Sequence, residues 1–192
     1  LAPFEGLYAH PVGYIEIQPK RSTLALSMSG SGGLHLVPRE DGLFTSQLRI
    51  FGLIPINLDS LKDLEFRFSE ANGTALIEMQ QIGIHVGSGI EYEPVAPTDL
   101  WMTRTGEYQA PEDSGALFSN IRIGIDRGID ALTFQLGGGL FRLGGPTFLL
   151  EPQDRDVAII AGYGRNMAQR VEFGADAQGE YVEYAGVRAY RR

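Results

Sequence analysis

Cysteine is absent from this 192-residue chain, and only two lysines, Lys20 and Lys62, stand against fourteen arginines. Without cysteine there are no disulfides, no thiolate nucleophile and no Cys-based zinc site, although the compartment stays open. No stretch approaches the roughly 20 consecutive apolar residues that a membrane helix needs. Helical periodicity is confined to about one turn at 59–64 and one at 97–103, around Trp101. A net charge of −8 argues against nucleic-acid binding, which requires clustered cations. The chain begins Leu-Ala-Pro, as an excised fragment or processed product would, and no charged-then-apolar leader opens it, so no signal peptide is expected.

The chemistry-bearing motifs are missing as well. A Ser-x-x-Lys acylation site places serine three residues before lysine, but Ile17 and Asp59 stand there, and neither lysine begins Lys-Thr-Gly. Gly30-Ser31-Gly32 lies in a turn with no following helix, so it is not a nucleophile elbow. The glycine-rich run Gly137–Gly145 lacks the phosphate-loop lysine and joins strand to strand, so no helix N-terminus is available to an anion. His10, His35 and His85 share no zinc-type spacing, and half-buried imidazoles are the ordinary expectation in alternating strands. The carboxylate runs Glu151, Asp154, Asp156 and Glu172, Asp176 fall on strands and turns, where surface carboxylates are usual. No catalytic, cofactor-binding or metal-ligating residue follows from the sequence.

What is present is 43% hydrophobic and 10% aromatic residues, enough for packed cores, with 25 glycines for tight corners. The text is also written twice. Gly6-Leu7-Tyr8 returns as Gly106-Glu107-Tyr108, each followed by a proline (Pro11, Pro111) and an alternating strand, Tyr14-Ile15-Glu16-Ile17 or Asn120-Ile121-Arg122-Ile123. Phe66–Glu78 likewise matches Val171–Glu183. A repeat of this period bounds the architecture before any motif does.

Period-two segments separated by turn signals predict seven or eight short strands per half. Asn72-Gly73 between alternating runs is the strongest hairpin signal, because both central residues of a type I′ turn need positive φ. The proline-containing stretch Glu91–Asp99 reads as a linker, dividing the chain into 1–96 and 97–192. The expected fold is all-β, two tandem antiparallel barrels, since closure removes the unpaired edges an open sheet would expose. One larger sandwich or barrel built from both repeats is the alternative.

The C-terminal text Ala161-Gly162-Tyr163-Gly164-Arg165, then Tyr181-Val182-Glu183-Tyr184-Ala185-Gly186-Val187-Arg188-Ala189-Tyr190-Arg191, resembles the end of bacterial serine hydrolases of the β-lactamase/penicillin-binding-protein type. The two Gly-x-Tyr openings are similar to those of the lipocalin-like accessory barrels carried in tandem by class C-like, D-aminopeptidase-like members. The resemblance implies a non-catalytic C-terminal region that packs on or gates a catalytic domain, or contacts another subunit. It implies a periplasmic or secreted setting, and it transfers no catalytic residue. Tyr163 and Arg165, projecting from a glycine corner, are the candidate interdomain contacts. Arg165 could reach a neighbouring carboxylate bidentately; the plainer alternative leaves it on local carbonyls, with Tyr163 filling the barrel end. A free-standing lipocalin-like binder of a small apolar ligand is the rival expectation.

Overall fold

The computed structural model describes residues 2–29, 31–50, 54–56, 63–139, 145–162 and 167–192. Residues up to Glu93 form one compact unit, and Pro94–Ala161 with the C-terminal strands form another. In the first unit β1 (Gly6–Ala9), β2 (Ile15–Lys20), β3 (Thr23–Met28), β4 (Ser31–Pro38) and β5 (Phe44–Ile50) run as an antiparallel meander. β6 (Ile54–Ile56) pairs with the end of β5, whose start pairs instead with β7 (Leu64–Ala71). β8 (Thr74–Gln81) and β9 (Ile84–Glu91) complete the ring, because β9 pairs back onto β1 through Tyr8–Glu91 and Ala9–Ile90.

The second unit repeats the plan. After the short helix α1 (Asp99–Thr103) come β10 (Gly106–Gln109), β11 (Asn120–Asp126), β12 (Ala131–Gly137), β13 (Thr147–Pro152), β14 (Val157–Ile160), β15 (Arg170–Asp176), β16 (Gly179–Tyr184) and β17 (Val187–Arg191). These strands form a closed barrel in chain order, with β17 pairing to β10 through Arg191–Tyr108 and Tyr190–Gln109. Two closed eight-stranded antiparallel barrels therefore stand in tandem in one chain. Their up-and-down order is that of lipocalin barrels.

Alternation explains which side chains fill them. In β7, Leu64 and Phe66 are buried while Glu65 and Arg67 face outward; in β15, Val171 and Phe173 are buried while Arg170 and Glu172 are exposed. Each such large apolar side chain contributes about 1.5–3 kcal/mol on burial. The registers make the two interiors comparable position by position. Tyr8 corresponds to Tyr108, Ile15 and Ile17 to Ile121 and Ile123, and Phe68 to Phe173.

One hydrogen bond recurs in both copies. The Tyr8 hydroxyl donates to the Phe4 carbonyl at 3.1 Å, and the Tyr108 hydroxyl donates to the Arg104 carbonyl at 2.8 Å. Each bond ties a buried strand residue to the segment four positions upstream, which covers one end of its barrel. That segment is a 3-10 turn (Ala2–Phe4) in the first unit and α1 in the second.

Several local expectations are revised. Alternation continues from 74 to 84 and predicts a single strand there, but the chain turns at Ile82-Gly83 and returns as β9. The turn went unread because a β-branched residue holds a position (φ 52°) that Asn, Asp or Gly normally takes. β4 begins at Ser31, inside a run read as a glycine turn, and β1 and β10 are strands too short for periodicity to reveal. Asn72-Gly73 does turn with positive φ at both residues. The expected turn at 59–64 falls mostly outside the described residues, as does the middle of the glycine-rich run at 137–145.

Replacing Tyr8 or Tyr108 by Phe keeps the buried ring and removes only the hydroxyl. Each variant is expected to lose about 1 kcal/mol in urea unfolding. Burial, reinforced by Glu91, holds the Tyr8 pKa at about 12. The folded state keeps this proton above pH 10 where the unfolded chain releases it, so stability falls as pH rises from 10 toward 12. Tyr8→Phe should flatten that decline.

Candidate functional site

The two copies share a scaffold, so the places where they diverge are the informative ones. The first lies at the rim of the first barrel. Met79 pairs with Gly87, as Tyr184 pairs with Val187 in the second copy. Seven residues (80–86) connect the first pair and only two (185 and 186) the second, so the first hairpin runs five residues further. A register shift at Met79/Gln80 marks where it leaves the barrel.

The extension carries apolar side chains into solvent. Ile82 is 74% exposed, Ile84 70% and Val86 40%. No residue from Gln80 to Val86 is an acid, a lysine or an arginine, on a chain of net charge −8. Ile82 also sits at positive φ, a conformation costing a β-branched residue about 1–2 kcal/mol. His85 Nε2 and Ser88 Oγ lie 2.9 Å apart at its base.

The second divergence lies inside that base. His10 occupies the position of Ala110 and has no solvent exposure. Its Nδ1 accepts the Val12 N–H at 3.3 Å, while Nε2 has no hydrogen-bond partner among the described residues. The ring lies against Gly87, where a Cβ would come within 3.1 Å of its Cε1, and at Gly89 a Cβ would come within 2.9 Å of Ile77 Cγ2 and 3.1 Å of the His10 Cβ. A side chain at Gly87 would crowd the imidazole, so the missing Cβ there leaves room for the ring. Burial pushes the His10 pKa below its usual value; the Gly87 backbone opposes this without giving Nε2 a bond of ordinary geometry, and His85 adds to the lowering.

The third divergence is the mouth of the second barrel, under α1. Trp101 is buried and meets Phe173 edge-on at 5.2 Å. The Arg104 guanidinium lies 5.2 Å from the Trp101 ring and 4.9 Å from Phe173, and it pairs with Asp156. Arg191 pairs with Glu180 at 2.7 Å and donates to the Thr105 carbonyl at 2.9 Å. A half-open cavity of about 450 Å³ lies among these groups, with Leu100, Arg155 and Tyr181 also on its wall.

Of the residues singled out in the sequence, His10 and His85 lie at the base of the hairpin extension and Asp156 at the second mouth; the others fall elsewhere or serve structure. Tyr163 and Arg165 lie outside the described residues. His35 Nδ1 is 3.4 Å from the Thr23 hydroxyl. Asp154 accepts the Asp156 and Val157 N–H groups of its turn, and Glu172 pairs with Arg170. Among the described residues, no group of three or more His, Asp and Glu is placed to hold a metal ion, and no helix is long and apolar enough to cross a membrane. The hairpin extension and the arginines of the mouth escaped sequence reading.

His10 sets a pH dependence with a definite sign. Below pH 6.5 the unfolded chain binds a proton that the folded chain resists, so stability falls as pH drops below 6.5. His10→Ala, which installs the residue of the other copy, should reduce the difference between thermal midpoints at pH 7.5 and pH 5.5. An unchanged difference would place the acid sensitivity elsewhere. No protein-family model, curated protein or solved structure matches the chain.

Proposed function

We propose that the chain is a non-catalytic accessory region of a β-lactamase-related serine hydrolase, packing on or gating that enzyme's catalytic domain. The observation that supports this most is the extended β8–β9 hairpin, with Ile82, Ile84 and Val86 held in solvent on an uncharged tip. Apolar side chains concentrated on such a projection gain free energy only when another surface covers them. The barrel itself does not need the extension, since the second copy closes with a two-residue turn. A β-branched residue kept at positive φ adds strain at the tip, of the kind that surrounding structure retains at functional sites. A free-standing small-ligand binder is the second reading, favoured by the open mouth of the second barrel.

The test uses the product of the full reading frame, which on this proposal contains Ser-x-x-Lys and is labelled by a fluorescent penicillin. Ile82→Asn, Ile84→Thr and Val86→Thr are introduced together. In the 192-residue chain alone, the triple variant should be as stable as the parent or about 1 kcal/mol more stable, because Asn tolerates positive φ. In the full product it should lower the thermal midpoint or change hydrolytic turnover. A full product without Ser-x-x-Lys, or one indifferent to the triple variant, contradicts the proposal.

A further inference from the structure

The structure assigns a second role, independent of the accessory reading: the α1-capped mouth of the second barrel is a binding site for a small carboxylate with an apolar body. The argument rests on what each copy places at the same positions. At the first mouth Phe4 stacks on Phe68 at 4.6 Å, and Phe44 meets Phe68 edge-on at 5.2 Å, filling the end with aromatic rings. In the second copy Phe44 becomes Ala158 and Phe4 becomes Arg104, while Phe173 keeps the place of Phe68. The plug is thereby reduced, and a cavity of about 450 Å³ lies at that mouth, within the size range of small-molecule sites.

The sign of the charge changes with the shape. Pro38 and Pro152 occupy matched positions, and the turns that follow close alike: Arg39 N–H bonds the Leu43 carbonyl, and Gln153 N–H the Val157 carbonyl. This alignment sets Arg155 where the first copy has Asp41. The closing strands set Arg191 where the first copy has Glu91. Two acids at one mouth are thus two arginines at the other.

Three arginines and two carboxylates line the second cavity, so it carries one net positive charge on a chain of net charge −8. Asp156 and Glu180 are occupied by Arg104 and Arg191. Arg155 is exposed and has no ion pair or hydrogen bond among the described residues. It is the cation left for a ligand, and guanidinium geometry matches a carboxylate in two parallel hydrogen bonds. Phe173, Leu100 and the half-buried Tyr181 supply the wall for an apolar body.

Isothermal titration of the 192-residue chain with 4-phenylbutyrate, 4-phenylbutanol and inorganic phosphate tests the assignment. One equivalent of 4-phenylbutyrate should bind saturably, and the alcohol, which has the same body without the charge, at least about tenfold more weakly. Arg155 is exposed, so Arg155→Ala should weaken the acid about tenfold with an unchanged thermal midpoint. Arg104→Phe, which installs the first copy's residue, should weaken it further. Equal binding of acid and alcohol, no effect of Arg155→Ala, no saturable binding, or phosphate binding more tightly than the carboxylate would each overturn it.

Discussion

Closure of each sheet on itself depends on a few backbone pairings between first and last strands: Tyr8 with Glu91 and Ala9 with Ile90, then Tyr108 with Arg191 and Gln109 with Tyr190. Without them, eight strands would end in two rows of unpaired N–H and C=O groups. Closure fixes what the first strand must be. Its glycine lies beside the last strand, next to Glu91 in one copy and Arg191 in the other. Its tyrosine must fill the interior and find a partner for its hydroxyl, which it does on the carbonyl four residues upstream. The short covering segment at each mouth is held by that bond, and so the mouth inherits its shape from the closing strands.

A closed ring also confines variation to its ends. Interior positions change only with compensation: Phe44 and Phe66 become Ala158 and Val171, while Leu26 and Met79 become Phe134 and Tyr184. The aromatic mass has moved from the capped end of the first barrel toward the far end of the second, where Phe134 and Tyr184 pack at 4.8 Å. The rims are freer. One gained a five-residue apolar extension and the other an arginine-lined cavity, and neither disturbs the ladder that closes the ring. His10 links rim to interior, because its buried imidazole sits directly beneath the glycines from which the extension springs.

The fold was legible where side chains alternate and where a repeat supplies a second copy. Ile15-Glu16-Ile17 and Phe66-Arg67-Phe68 announce strands by period, and the doubled Gly-x-Tyr announces two units. The hairpin at Ile82-Gly83 was not legible, because alternation runs through it and isoleucine conceals the turn. The cavity was hidden for another reason. Arg104, Arg155 and Arg191 lie 36 and more residues apart in the chain once α1 is left behind, and only barrel closure brings Arg191 back beside Tyr108. A signal was nonetheless present: aligning Phe4 with Arg104 and Glu91 with Arg191 across the repeat exposes a change of charge at matched positions.

The central claim is that closure makes the barrels a self-sufficient scaffold and leaves the rim differences for function. The most direct measurement replaces residues 80–86 with the Ala-Gly turn of the second copy and follows thermal unfolding by circular dichroism. The account predicts a cooperatively folded β protein whose midpoint is unchanged or higher, since the strained, exposed tip is gone. A chimera that unfolds, or melts well below the parent, would show that the extension holds the first barrel together and would contradict the account.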